Sequence, residues 1–152
     1  MKLNLPEYDF ILKREGDKTL IFDKLRNKFV TLTPEEEVRQ RFVATLIVHK
    51  DYPLGRIGNE ISLTLNNTKK RCDTVVYNKF GSPCIIIEYK APNVEITQDV
   101  FDQITRYNSV LKVNYIIISN GIRSFCCKYD YIQNSYSFLK EIPSYYEIEG
   151  CK

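Results

Sequence analysis

The sequence has 152 residues, which suits one compact domain and leaves too little chain for two. Its 22 Lys and Arg against 19 Asp and Glu leave a net charge of +3, a weak excess that permits a nucleic-acid partner without arguing for one. With 43% hydrophobic and 27% charged residues, the composition excludes a disordered or collagen-like chain. A chain of this size can bury a core without a disulfide or a structural metal.

The cysteines favour a reducing compartment. Their number is odd, no two have the CxxC spacing, and a single histidine is present, so a structural zinc site is disfavoured; they are Cys72, Cys84, Cys126, Cys127 and Cys151. Buried free thiols are the simplest interpretation. The acidic N-terminus lacks the apolar segment of a signal peptide, and no apolar run is long enough to span a membrane. We therefore expect a cytoplasmic protein.

The first third of the chain predicts short strands followed by a helix. Strand-like segments occupy Phe10–Leu12, Thr19–Asp23 and Lys28–Thr31. Thr33 is a favourable N-cap, and Glu36 has the spacing of a capping box, so a helix of about fifteen residues should begin there.

The remainder predicts three strands, a helix and two more strands. The strands are expected at Glu60–Leu65, Asp73–Tyr77 and Cys84–Tyr89, the helix at about Thr97–Leu111, an almost wholly apolar strand at Asn114–Ser119, and another at Arg123–Tyr129. The order is αβββαβ, an α/β fold with a mixed central sheet flanked by helices. We expect a single domain over residues 1–152, with N-terminal strands at about 10–31 and a core at about 33–131.

Several common catalytic motifs are missing from the sequence. It contains no phosphate-binding GxxxxGKS/T loop, no GxGxxG after a strand and no GxSxG. The single histidine, His49, falls on the apolar stripe of the first helix and is expected to be a core residue. A nucleophile activated by histidine is therefore disfavoured.

Asp73, Glu88 and Lys90 form a more specific pattern. Glu88 and Lys90 are two residues apart, so they project from the same face of a strand. A hairpin turn near Gly81 would lay Asp73 beside Glu88. Two adjacent carboxylates repel each other unless a cation compensates, and such oxygen ligands suit Mg²⁺ or Mn²⁺. Lys90 could orient a water for attack on a phosphodiester. A solvated salt bridge between Glu88 and Lys90 is the alternative.

The pattern Asp73-x₁₄-Glu88-x-Lys90, with the αβββαβ order, resembles the PD-(D/E)XK nuclease superfamily. Further motifs resemble small proteins related to the N-terminal nuclease domain of type I restriction enzyme R subunits. The resemblance covers about residues 20–121. It rests on Ile21-Phe22-Asp23, Arg26, Phe29-Val30, Leu32-Thr33-Pro34-Glu35-Glu36, Val38-Arg39-Gln40, Arg71-x-Asp73-x-Val75-Val76-Tyr77, Ile87-Glu88-x-Lys90-Ala91-Pro92 and Thr97-Gln98-x-Val100-Phe101-Asp102-Gln103-x-x-Arg106-Tyr107-Asn108, and it ends near Ser119-Asn120-Gly121.

The resemblance implies a role for each matching residue. Asp73 and Glu88 would be metal ligands, Lys90 the catalytic lysine and Glu36 an additional acidic residue near the metal, although a capping role also explains Glu36. Gln103 and Tyr107 match a QxxxY element that would contact the DNA backbone or brace the site; Tyr107 also fits the apolar stripe of its helix.

Two positions depart from the family pattern and one basic run adds to it. Cys72 stands where a proline usually precedes the aspartate, and Glu37 stands where relatives tend to have an aromatic residue. The run Lys69-Lys70-Arg71 could neutralise DNA phosphates, or it could form a solvated hairpin turn.

The function we expect is Mg²⁺-dependent (or Mn²⁺-dependent) endonuclease cleavage of nucleic acid, with DNA as the first candidate. The alternative is a catalytically silent module of the same fold that binds nucleic acid or a restriction or repair protein.

Overall fold

The computed structural model describes residues 2–65 and 67–151, and of residues 65, 68, 107 and 109–111 it describes the backbone alone. The strands are β1 (Leu12–Glu15), β2 (Lys18–Asp23), β3 (Lys28–Thr31), β4 (Ile57–Leu65), β5 (Thr68–Tyr77), β6 (Pro83–Tyr89), β7 (Tyr115–Ser119), β8 (Ser124–Asp130) and β9 (Ser135–Leu139). The helices are α1 (Pro34–His49), α2 (Gln98–Leu111) and α3 (Tyr145–Ile148).

Six of the described strands form one mixed sheet in the order β4-β5-β6-β7-β8-β9. β6 and β7 are parallel because α2 connects them as a crossover, and the other neighbouring pairs are antiparallel. The elements from α1 to β7 follow the order αβββαβ. The predicted α/β class and its mixed sheet flanked by helices are therefore confirmed, as are the extra N-terminal strands, which form a separate antiparallel sheet β1-β2-β3.

Each face of the large sheet is covered by one long helix. Val38 and Phe42 of α1 pack with Ile87 on one face, whereas Phe101 of α2 packs with Ile118 on the other. All five residues of β7 are buried, as its apolar sequence predicts for a central strand. The adjacent thiols of β8 divide between the two clusters, since a strand points successive side chains to opposite faces. None of the helices in the described part of the chain has the length and hydrophobicity needed to span a membrane.

Two predictions about local structure were wrong, and one of the two alternatives for the basic run is excluded. The first strand begins at Leu12 rather than Phe10, because a two-residue turn at Gly16 sets its pairing with β2 and its exposed side chains give no alternation. The basic run 69–71 lies inside β5 instead of forming a turn, because the hairpin closes at the pair Leu65–Thr68. His49 is exposed at the end of α1 rather than buried in the core.

Asp23 ties the small sheet to the large one. The carboxylate is buried, forms an ion pair with Arg26 and accepts hydrogen bonds from Leu25 N and from Asn59 Nδ2 of β4, the latter at 3.0 Å. Burial alone would raise the pKa of Asp23, but the hydrogen bonds and the charge of Arg26 outweigh it and hold the pKa below its ordinary value of 3.8.

We predict that Asp23→Asn lowers the free energy of unfolding by about 2 kcal/mol at neutral pH, because Arg26 loses one of its two charged partners. A depressed folded-state pKa stabilises the fold fully above the unfolded pKa, and this contribution is lost as pH falls through the folded-state value. Urea unfolding should therefore show the wild-type advantage shrinking as pH falls from about 7 to about 3.

Asp9→Asn, at an exposed position, is the control and should change stability by less than ~0.5 kcal/mol. An Asp23→Asn deficit that stays constant or grows on acidification would contradict the depressed pKa.

Candidate active site

The strands β5 and β6 separate at Asp73 and Glu88. Their pairing runs through Thr74 opposite Ile87, which makes Asp73 the neighbour of Glu88 as the hairpin predicts. Beyond that point the amide of Tyr89 donates to Asp73 Oδ2 at 2.9 Å. A side-chain carboxylate thus takes the place of a backbone acceptor, and the two strands open beside a pair of acidic groups, of which Asp73 is half-buried and Glu88 is buried.

Glu88 is a buried carboxylate with little to compensate its charge. It is 7% exposed, and Lys70 Nζ lies 3.3 Å from Oε1. That oxygen is buried and accepts no hydrogen bond among the described residues. Burial, together with the neighbouring Asp73 carboxylate, raises the pKa of Glu88 from 4.5 to about 8, although Lys70 opposes the rise. A cation at this position would relieve both desolvation and repulsion.

Lys90 follows directly after β6 and is half-buried. Its amide donates to the Ser119 carbonyl at 2.9 Å, which continues the β6–β7 pairing and fixes where the side chain begins. Lys90 is also close enough to Glu35, at the start of α1, to influence its pKa. Removal from water and the Asp73 carboxylate raise the pKa of Glu35, while Lys90 and Arg39 lower it, with a net rise.

Glu36 has different contacts from those expected for a residue beside a metal. Its Oε1 accepts from Arg26 at 2.8 Å, and its Oε2 accepts from Gln40 at 3.0 Å and lies 3.2 Å from Arg39 Nε. Its amide donates to Thr33 Oγ1, so Thr33 is the N-cap as predicted. The second half of the predicted capping box is absent, because the Thr33 amide donates to the Thr31 carbonyl and the Glu36 carboxylate forms the ion pairs. The adjacent Glu35 is the acidic residue of α1 that interacts electrostatically with Asp73 and Lys90.

The residues expected to contact nucleic acid lie in several places. Lys69 and Gln103 are exposed, on β5 and α2 respectively. Arg71 is exposed but forms an ion pair with Glu60 at 2.7 Å, and Lys70 points to Glu88. The side chain of Tyr107 lies outside the described residues, so its predicted role stays a prediction.

Sequence reasoning missed Glu35 and Arg39 as parts of the site. Arg39 is buried, and its Nη1 donates to the carbonyl of Asp73 at 2.7 Å. One signal was available, because Arg39 lies three residues before Phe42 and directly after Val38, within the buried stripe of α1. A charged residue in such a stripe requires buried partners.

The donor set suits a cation that keeps much of its water. Within residues 2–65 and 67–151, no three or more His, Cys, Asp or Glu side chains are grouped so as to hold a metal ion. Mg²⁺ commonly binds one or two carboxylates and completes its shell with water and phosphate oxygens. The pair Asp73 and Glu88, with its unbonded buried oxygen, fits that requirement.

Comparison with known proteins gives a family and a fold. A fragment from Vibrio vulnificus YJ016, described as an HsdR subunit of a type I restriction enzyme, superimposes with a TM-score of 0.54 at 18% identity. The match covers 77% of this chain and 24% of that fragment, so the chain spans about a quarter of its length. A search of curated proteins finds no match. The family model for the type I restriction enzyme R protein N terminus matches residues 34–143, and the chain therefore belongs to that family.

Proposed function

We propose that this domain is a metal-dependent nuclease of the PD-(D/E)XK type that hydrolyses phosphodiester bonds. DNA is the first candidate substrate. The observation that carries the proposal is that the Asp73 carboxylate lies beside the buried Glu88 carboxylate at the point where β5 and β6 separate. Two carboxylates placed so close repel each other, and in the metal-free protein this repulsion adds to the raised pKa of Glu88, so a cation-dependent role gives the arrangement a reason.

Asp73 and Glu88 would hold Mg²⁺ or Mn²⁺. When bound, such an ion supplies Lewis-acid stabilisation of the negative charge that develops on the phosphodiester. Lys70 would leave Glu88 Oε1 for that purpose and could then contact a phosphate. The interaction at 3.3 Å is long for a charge-assisted hydrogen bond, which favours its exchange.

Lys90 and Glu35 would act on the attacking water and the substrate. The Lys90 ammonium is a donor that can orient a water beside the two carboxylates and stabilise the charged transition state. The Glu35 carboxylate lies within electrostatic range of both Lys90 and Asp73, and its raised pKa favours its taking up a proton. Glu36 would contribute through the ion pairs that hold α1 in place.

The wider context favours DNA and other restriction subunits as partners. Membership of the R-protein family supports a nuclease-related role in restriction, and Lys69, Arg71, Gln103 and Tyr107 are the proposed contacts to the DNA backbone. We infer a cytoplasmic location, which such a substrate and the five free thiols would suit.

We predict that the purified protein nicks or cuts supercoiled plasmid DNA with Mg²⁺ or Mn²⁺ and not with excess chelator. Asp73→Asn, Glu88→Gln and Lys90→Ala should each reduce the rate about 100-fold or more, because each removes a charge at the reacting phosphate. The rate is measured from the conversion of supercoiled to open-circular DNA.

Glu141→Gln, at an exposed position, should cleave at the wild-type rate. Cleavage that persists in Asp73→Asn would overturn the assignment. Salt-dependent DNA binding by wild type without cleavage under either metal would favour the silent binding module instead.

We predict that substitution of Glu35 mainly affects the cleavage rate, whereas substitution of the adjacent Glu36 mainly affects the free energy of unfolding. Glu35→Gln should reduce the cleavage rate about tenfold while changing the free energy of unfolding by less than ~0.5 kcal/mol. Glu36→Gln should lower the free energy of unfolding by about 3 kcal/mol, because Arg26 and Arg39 lose their shared carboxylate. Urea unfolding and plasmid nicking on the same preparations test both. A stability loss in Glu35→Gln equal to that in Glu36→Gln would show that the two roles have been assigned wrongly.

A further inference from the structure

Arg39 joins four elements of the fold although it is charged and buried. Its Nη1 donates to the Asp73 carbonyl at 2.7 Å, and its Nη2 lies 2.8 Å from Glu60 Oε1. Its Nε lies 3.2 Å from Glu36 Oε2, and the guanidinium carbon lies 5.8 Å from the centre of the Tyr89 ring. One side chain of α1 therefore contacts β4, β5 and β6 at the point where the candidate metal ligands lie.

The Asp73 carbonyl receives this hydrogen bond at a break in the β4–β5 pairing. The pairing is regular up to Asn59 opposite Thr74, but the next residue of β4, Glu60, has a φ of 57°. That left-handed conformation is uncommon for a residue with a side chain and persists where surrounding contacts impose it. Arg39 supplies such contacts, because it binds both the Glu60 carboxylate and the Asp73 carbonyl.

Asp73 is consequently held at both ends. Arg39 fixes its backbone carbonyl, and the Tyr89 amide fixes its carboxylate at 2.9 Å. Neither contact is a backbone-to-backbone hydrogen bond of regular sheet pairing. The direction of the carboxylate thus depends on a hydrogen bond from a different element, α1.

We propose that Arg39 is a positioning residue. It sets the orientation of the Asp73 carboxylate by holding β4 and β5 together where their pairing is interrupted, at Glu60 and Asp73. The inference rests on the proposed function only where it treats Asp73 as a metal ligand. The planar fork of a guanidinium can bind a carbonyl and two carboxylates at once, whereas the single nitrogen of a lysine cannot span them.

Amide hydrogen exchange measured by NMR on the metal-free protein tests the positioning directly. Arg39→Lys keeps the charge and should lower the protection of the Tyr89 amide about tenfold relative to the amides of β7. Dividing the protection of the Tyr89 amide by that of the β7 amides corrects for any change in global stability. Arg26→Lys is the matched control, because Arg26 binds Asp23 and Glu36 in the same chain of ion pairs, and it should leave the ratio unchanged.

Unchanged protection of Tyr89 in Arg39→Lys, or an equal loss in Arg26→Lys, would overturn the inference. Binding of Mn²⁺ followed by electron paramagnetic resonance then tests its consequence: Arg39→Lys should bind about tenfold more weakly than wild type, and Arg26→Lys as wild type does. Equal affinity in Arg39→Lys would overturn the link to the metal. Wild type that binds no Mn²⁺ would contradict the proposed function, while the exchange ratio still decides the role of Arg39.

Discussion

The interaction that defines the candidate site is the repulsion between the carboxylates of Asp73 and Glu88. The fold places the two carboxylates together because β5 and β6 pair up to Thr74 and Ile87 and then separate. Burial of Glu88, together with the neighbouring Asp73 carboxylate, raises the pKa of Glu88 to about 8. Lys70 compensates the charge of Glu88 only in part. A divalent cation bound between the two carboxylates would remove the remaining repulsion, and the presence of this pair in the sheet therefore supports a cation-dependent function.

A chain of alternating charges connects this pair to the rest of the fold. From the surface inward it runs through Arg71, Glu60, Arg39, Glu36, Arg26 and Asp23. Its members come from β2, the β2–β3 turn, α1, β4 and β5, so the small N-terminal sheet and the first helix are fastened to the strand that carries Asp73. A buried network of this kind adds little net stability but favours a single arrangement of the elements, because any other leaves a buried charge without its partner.

The sequence predicted the order of elements and the meeting of Asp73 with Glu88, because both depend on local periodicity and on the register of one hairpin. It did not predict the ion pairs of Glu36 or the burial of Arg39, since these depend on which residues of β4 and β5 face α1 after packing. The basic run of β5 shows the same limit. Lys69, Lys70 and Arg71 are all basic and adjacent in sequence, but strand alternation and the Glu60 conformation give them different surroundings. Lys69 is exposed, Lys70 forms an ion pair with Glu88, and Arg71 forms an ion pair with Glu60.

The central claim is that Asp73 and Glu88 form a site for a divalent cation. A crystal structure from crystals grown with Mn²⁺, with anomalous diffraction recorded at the manganese edge, tests it most directly. We expect one anomalous peak in contact with both carboxylates, and we expect Lys70 Nζ to have moved away from Glu88 Oε1. No peak at these carboxylates, with Lys70 still paired to Glu88, would contradict it.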